Sequence, residues 1–295
     1  MNTVKISIVI PCYNMVDYIE TTILSIINQK YANLELIIID GCSTDGTLEI
    51  LNNYKHFFSF YISEKDNGQY FAINKGLKIA TGEIIAWLNA DDIYFPWTFN
   101  IINKIFNENS NVKWVSGQSS FLDEKGNISK IHNNLSSKNQ KYIQKGLFNG
   151  KPFGYLQQEG MFWKREVLIS CGFLNTSLRL AADYELWIRF SNKYKLISIE
   201  LPLAGFRIRH NSRSNVFKAN YESEVNQLFK IVNKNRINRF IFKSCRSHPL
   251  NMFFRLFFWR KTEIYYFSVL KQKWVLSRKY RPIANSSISQ LLLEL

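Results

Sequence analysis

Apolar residues fall into two alternating textures along the first ninety positions. VKISIVIP (4–11) is a continuous, largely β-branched run of strand length, whereas VDYIETTILSIINQKY (16–31) spaces Val16, Ile19, Ile23, Ile26 and Ile27 along one face of a helix. LELIIID (34–40) returns to the continuous texture. Strand, helix and strand over short connections predict a right-handed crossover and a parallel sheet. FSFYIS (58–63), a helix through QYFAINKGLKIATG (69–82) closed by Gly82, and the strand EIIAWLNADD (83–92) extend that sheet.

After a helix around Phe99 to Phe106 the strands shorten to VKWVSG (112–117) and QSSFLD (118–123). The polar stretch 124–145 is expected to lie as a loop over one face of a mixed extension of the sheet. EGMFWKREVLISCGFLN (159–175) predicts a strand, a short helix and a glycine turn, and LAADYELWIRFSNKY (180–194) a helix with Ala182, Leu186, Trp187 and Phe190 on one side. KLISIEL (195–201) and AGFRIRH (204–210) are expected to close the domain. Farther on, Phe217, Tyr221, Val225, Leu228 and Val232 mark a helix that packs back on it. The division expected is a catalytic unit over 1–215 and a helical, basic and aromatic region over 216–295.

At 295 residues, 46% of them hydrophobic, the chain affords a core for one sizeable α/β domain with an appendage. Cys12, Cys42, Cys171 and Cys245 are scattered without a C-x-x-C pair, which speaks against a disulfide framework and a zinc site and fits a reducing cytoplasm. The opening apolar run breaks at Pro11, too early for a signal sequence, and no run of eighteen apolar residues predicts a spanning helix. The net charge of +15 has the sign of a nucleic-acid binder, but its placement does not: Lys230 to Arg281 holds fourteen Lys or Arg against one acid, Glu263. Within 237–280 those bases interleave with Phe, Trp and Tyr, a composition suited to an anionic membrane boundary. The expected location is therefore cytoplasmic and peripheral, at the inner face of the cell membrane.

In open parallel sheets, ligands bind beyond the carboxyl ends of the strands. Three such ends are polar here: PCYN (11–14), DGCSTDGT (40–47) and NADD (89–92). Adjacent carboxylates at Asp91 and Asp92 are costly unless a lysine, a helix N-terminus or a metal ion lies between them. Mg²⁺ or Mn²⁺ takes hard oxygen ligands, often one or two carboxylates completed by phosphate and water. Asp40 stands where a sheet-end carboxylate can accept hydrogen bonds from a base or ribose, while Asp45 has the setting of a turn and helix cap.

SIVIPCYN (7–14), LELIIIDGCSTDGT (34–47), SEKDNGQYFAINKG (63–76), GEIIAWLNADD (82–92) and AADYELWIR (181–189) occur in this order and at these spacings. Over residues 4 to 214 the chain thereby resembles the family 2 glycosyltransferases, inverting enzymes of the GT-A fold. That fold is α/β and Rossmann-like, a mostly parallel central sheet with helices on both faces. The resemblance implies a nucleotide-diphosphate sugar as donor, with uridine favoured, and a sugar hydroxyl of a growing, lipid-linked or other cell-surface glycan as acceptor. It places Pro11 and Tyr13 along the donor crevice, Asp40 on the nucleoside, Asp66 on the base, and Gly68 and Lys75 near the donor. NADD stands at the family's D-x-D motif, with Asn89 replacing the first acid. Asp92 is expected to ligate Mn²⁺ or Mg²⁺ directly, with Asp91 in support and His210 completing the site. Arg207 and Arg209 are expected to fork onto the diphosphate. Asp183 matches the family's base, and Glu185, two residues on, is its local competitor. QQEG (157–160) departs from the His-Gln pair common in relatives, which leaves the acceptor contacts open.

Other classes fit less of the chain. A sugar nucleotidyltransferase normally has a glycine-rich loop after the first strand, and IPCYNMVDYIE has no glycine. A nucleic-acid binder explains the charge, yet carboxylate-bearing strand ends repel phosphate without a metal, so no nucleic acid is expected as a partner. A non-catalytic membrane-binding relative would have no use for both NADD and Asp183.

Overall fold

A computed structural model describes residues 3–132, 138, 140–150, 154–233, 259–268, 271 and 273–282. The first half alternates as the sequence texture requires: β1 (Ile6–Cys12), α1 (Ile19–Ile27), β2 (Leu34–Asp40), α2 (Thr47–Asn53), β3 (Phe60–Ser63), α3 (Gln69–Ile79) and β4 (Ile84–Trp87). β1 is buried along its whole length because helices cover both of its faces, which is why its apolar run is continuous rather than alternating. It pairs in parallel with β2, Ile6 opposite Leu34 through Cys12 opposite Asp40, and with β4, Ile6 opposite Ile84. β3 starts at Phe60, two residues later than the sequence texture predicts. α3 ends at Ile79 with Ala80 as its C-cap, so Gly82 is not its cap. Gly82 instead lets the chain pass beside β1, where a Cβ would sit 2.7 Å from the Ser7 amide nitrogen.

Next come β5 (Ile93–Tyr94), α4 (Thr98–Glu108), β6 (Trp114–Gln118), β7 (Ser120–Leu122), β8 (Ile128–Ile131), α5 (Gln140–Gln144), β9 (Asn149–Gly150), β10 (Gly154–Tyr155), β11 (Met161–Lys164) and α6 (Arg165–Cys171). The stretch expected as a plain loop over 124–145 thus holds β8 and α5, with 133–137 and 139 outside the described residues. Then follow α7 (Ala182–Lys193), β12 (Leu196–Pro202), β13 (Ala204–Arg207), α8 (Arg213–Val216), α9 (Lys218–Val232), β14 (Trp259–Ser268) and β15 (Lys273–Pro282). The main sheet runs β15-β14-β12-β6-β11-β4-β1-β2-β3, and β5-β13-β7-β8 form a smaller sheet. β11 is antiparallel to both of its neighbours, β4 and β6.

The expectation of a helical tail is corrected at β14 and β15. They form a ten-residue antiparallel hairpin, and β14 pairs in parallel with β12, Ser198 opposite Ile264. WRKTEIYYFS is rich in aromatic and β-branched residues that favour a pleated surface, and Ile264 and Tyr265 are buried. Tyr265 joins the core that contains Ile8 and Ile38, so apolar packing crosses residue 215. Residues 237–258, 269–270 and 272 of that segment lie outside the described residues. Among the described residues, no helix is long and apolar enough to cross a membrane.

One core cluster fills the α1 and α4 side of the sheet and a second fills the α3 and α7 side. The second is built on Trp87, Trp114, Trp163, Trp187 and Phe190, with the Trp87 and Trp187 rings stacked 5.6 Å apart. This aromatic block fixes α7, and with it Asp183, over the sheet.

Candidate active site

The first polar strand ends converge as a crevice. A Cβ on Gly41 would lie 3.0 Å from Asp66 Oδ2 and 3.3 Å from the Tyr13 ring, so the missing side chain is what brings β1, β2 and the turn before α3 together. Asp66 Oδ1 accepts from the Gly68 amide at 2.7 Å, and Gly68 has φ +119, a conformation suited to glycine. Tyr13 is exposed, whereas Pro11 is buried inside β1 opposite Ile39. Asp40 is fully buried and already engaged: it accepts from Ser43 N (3.0 Å), Ser43 Oγ (2.5 Å) and Ser63 Oγ (2.6 Å). It fixes the 41–43 loop that shapes the crevice. Lys75 is ion-paired with Glu64, both side chains partly exposed. Its neighbour Asn74 clasps Leu174 through both amide and carbonyl, at 2.8 and 3.0 Å, and so straps the loop that leads to α7.

NADD forms the turn between β4 and β5, and there the two carboxylates part company. Asp92 is fully buried; Arg207 N donates to its Oδ1 at 2.9 Å and Asn89 Nδ2 to its Oδ2 at 3.2 Å. Burial, then the charges of Asp91 and Glu159, push its carboxyl well above the usual range. Asp92 as the direct metal ligand does not fit this geometry, because its oxygens face protein donors. Asp91 is the outward member, and its Oδ2 accepts from Arg209 Nε at 2.7 Å and Nη2 at 2.6 Å. Asn89 accepts from Gln69 at 2.8 Å while donating to Asp92, two bonds that an acid at this position would not make together.

The two arginines of β13 and its continuation also divide. Arg207 is buried and turns donors to Asp91 O (2.7 Å), Glu124 O (2.9 Å) and Thr21 Oγ1 (3.2 Å), which locks three segments together. Arg209 pairs with Asp91, and its guanidinium lies 4.8 Å from the centre of the Tyr18 ring. His210 lies in an exposed turn, and among the described residues no three His, Cys, Asp or Glu side chains converge on a metal position.

Asp183 occupies the first turn of α7. Its Oδ1 is buried without a hydrogen-bond partner. Burial raises its carboxyl to about 6, the amides of Tyr184 and Asp183 itself work against that rise, and the Glu224 charge adds to it. Glu185 is excluded from the same role because Arg189 holds it at 2.7 and 2.8 Å. Arg189 in turn bonds the carbonyls of Gly172 and Phe173, so this pair braces the glycine turn before α7.

QQEG holds what the sequence reading left open. Gln158 Nε2 donates to Trp87 O at 2.5 Å, which pins the segment to the end of β4. The Oε1 atoms of Gln157, Gln158 and Glu159 are buried without partners. Buried acceptors of this kind call for donors, and the hydroxyls of a sugar are donors. Glu159 lies in the fields of both Asp183 and Asp91; its carboxyl is pushed upward, by burial first. Lys138 is buried beside it, donates to Ser116 Oγ at 2.5 Å and Gly117 O at 2.9 Å, and is lowered to about 8 by burial. The sequence signal for Glu159 was a charged residue just before the apolar run MFW. Lys138 gave none, sitting in a polar stretch like its neighbours.

Known proteins carry the same frame. S. aureus TarS, residues 1–349 in complex with UDP, superposes with TM-score 0.58 at 18% identity, over 78% of this chain and 66% of that one. A mannosyltransferase from Pyrobaculum calidifontis, in complex with GDP-Man and Mn²⁺, superposes with TM-score 0.55 at 16% identity, over 86% and 79%. These likenesses show the fold. Chondroitin synthase of Escherichia coli is 26% identical over 262 residues, covering 88% of this chain and 36% of that protein. The chain spans about a third of the length of several of the curated relatives it matches. The Glycosyl transferase family 2 model matches residues 7–172, from β1 through the glycine turn that precedes the helix of Asp183. With the parallel sheet, the crevice at its strand ends and more than half of the sequence in register with that model, the chain belongs to glycosyl transferase family 2.

Proposed function

We propose that this protein is a metal-assisted, inverting glycosyltransferase that moves a sugar from a nucleotide-diphosphate donor, UDP-linked, to a hydroxyl of a cell-surface glycan. The observation that carries the reading is Asp183: a buried carboxylate with an unpartnered oxygen, raised to about 6, so that it is ionised at neutral pH yet basic enough to take a proton. The UDP complex of one structural neighbour and the chondroitin synthase among the relatives support the donor and acceptor classes.

The donor lies across the strand ends, with its base toward Tyr13 and Asp66 and its diphosphate toward Asp91 and Arg209. Asp91 fits a divalent cation, since it offers one hard carboxylate oxygen edge to an ion that completes its shell with phosphate and water. Mn²⁺ or Mg²⁺ held there would offset the charge of the leaving diphosphate. Asp183 takes the proton of the acceptor hydroxyl as that oxygen bonds to the anomeric carbon from the face opposite the diphosphate. The bond from carbon to diphosphate oxygen breaks, and the nucleoside diphosphate leaves with the electron pair. Gln157 and Glu159 accept from sugar hydroxyls. The basic, aromatic tail holds the enzyme at the inner membrane face, near lipid-linked acceptors.

Calorimetric titration with UDP, GDP and TDP, each with Mn²⁺ and with chelator, tests the reading. Binding of UDP that chelator abolishes is the expected result, kept in Asp183→Asn and lost in Asp91→Ala. Absence of binding by all three nucleotides overturns it.

A further inference from the structure

α9 lies outside the matched family region, yet it reaches the helix that carries Asp183. The carboxylate of Glu224 accepts three consecutive amides, Arg179 N, Leu180 N and Ala181 N, each at 2.9 Å. These amides lead directly into the first turn of α7, two residues before Asp183. Three amides on one carboxylate fix its position and set it at the positive end of a helix. α9 is held there by Tyr221, Val225, Leu228 and Val232, which pack on Ala181, Tyr184 and Ile188. At its far end Asn233 Nδ2 donates to Lys145 O at 2.8 Å.

The same short segment is gripped from two other elements. Arg213 of α8 bonds Arg179 O at 2.9 Å and Gln69 Oε1 at 2.7 Å, and Ala182 N donates to Tyr70 OH of α3 at 3.3 Å. Such convergence exceeds what a twelve-residue helix start needs, since solvent or one capping side chain serves most helices. It fits a carboxylate that must be held in one place and one charge state.

We propose that Glu224 is a positioning residue for the transfer reaction: by binding the amides of 179–181 it fixes the first turn of α7 and so holds Asp183 in place. α9 then completes the active site rather than following it. The inference rests on Asp183 being the base. Four titratable groups face Asp183 from the packed elements: Tyr70 of α3, Glu159 of the segment before β11, and Tyr221 and Glu224 of α9. Burial raises both tyrosines further and shifts Glu159 toward its neutral form, while the charge of Glu224 adds to the rise at Asp183.

The test is the titration of Asp183 itself in the full chain, followed by NMR of ¹³C-carboxyl-labelled aspartate and assigned with Asp183→Asn. Wild type is expected to titrate at about 6. In Glu224→Gln one charge and at least one amide bond are lost, and the midpoint is expected to fall by roughly half a unit or more. An unchanged midpoint overturns the proposal. If Glu224→Gln does not fold, Glu224→Asp decides: its shorter carboxylate is expected to speed hydrogen exchange at Leu180 and Ala181 about tenfold or more and to displace the midpoint. Unchanged exchange and midpoint overturn the proposal equally. Neither measurement uses a donor sugar, so failure of the transferase reading shows separately, as absent nucleotide binding.

Discussion

Exchanging the two neighbouring acids of NADD one at a time separates their roles. Asp92 is fully buried, its Oδ1 takes the Arg207 amide at 2.9 Å, and its charged form is disfavoured by burial and by Asp91. Asp92→Asn keeps an oxygen for that amide and removes a charge the site opposes, so stability should change by about 1 kcal/mol or less. Asp92→Ala strands the buried amide and leaves a void, at a cost of about 2 kcal/mol, which lowers the melting temperature by roughly 4–8 °C in a domain of this size. Asp91 is bound to Arg209 at the open side of the turn, where a cation and a diphosphate would meet it. Asp91→Asn should therefore abolish the Mn²⁺ dependence of UDP binding, whereas Asp92→Asn should retain it to within about threefold, or less than 1 kcal/mol. Thermal melts and calorimetry with UDP, with and without Mn²⁺, give both readings on the same samples. Loss of metal-dependent binding in Asp92→Asn with retention in Asp91→Asn would refute the assignment of the outward role to Asp91.

The rate of sugar transfer should fall about tenfold per pH unit below about 6, because Asp183 acts only when deprotonated and its carboxyl is raised to about 6; a rate independent of pH between 4 and 7 would remove it as the base. Trp187→Ala should cost about 3–5 kcal/mol in urea unfolding, since Trp187 is fully buried and stacked on Trp87; a loss below about 1 kcal/mol would mean the aromatic block does not hold α7. The full chain should co-sediment with phosphatidylserine vesicles and not with phosphatidylcholine ones, and raised salt should release it; equal partition to both would leave the basic tail without its membrane role.

What the sequence determined by itself was set by local texture. Continuous β-branched runs can only be strands covered on both faces, so β1, β2 and the helices between them follow from residues 4–82, and the polar strand ends mark where a ligand binds. Asp183 was singled out through the family resemblance, as the acid at a helix start that follows a glycine turn. Tertiary structure decided everything that depends on which side of a turn a side chain faces. Asp91 and Asp92 are chemically identical neighbours, and only the packing of β13, which brings the Arg207 amide to one of them, separates the buried acid from the open one. The same packing consumed Arg207 and left Arg209 at Asp91. Glu64 pairs with Lys75, and residues 259–268 and 273–282 became strands where β12 offered an edge for Ile264 and Tyr265 to cover. Glu159 and Glu224 gained their roles from partners 24 to 45 positions away, Asp183 and the amides from Arg179 to Ala181, at separations no local pattern encodes.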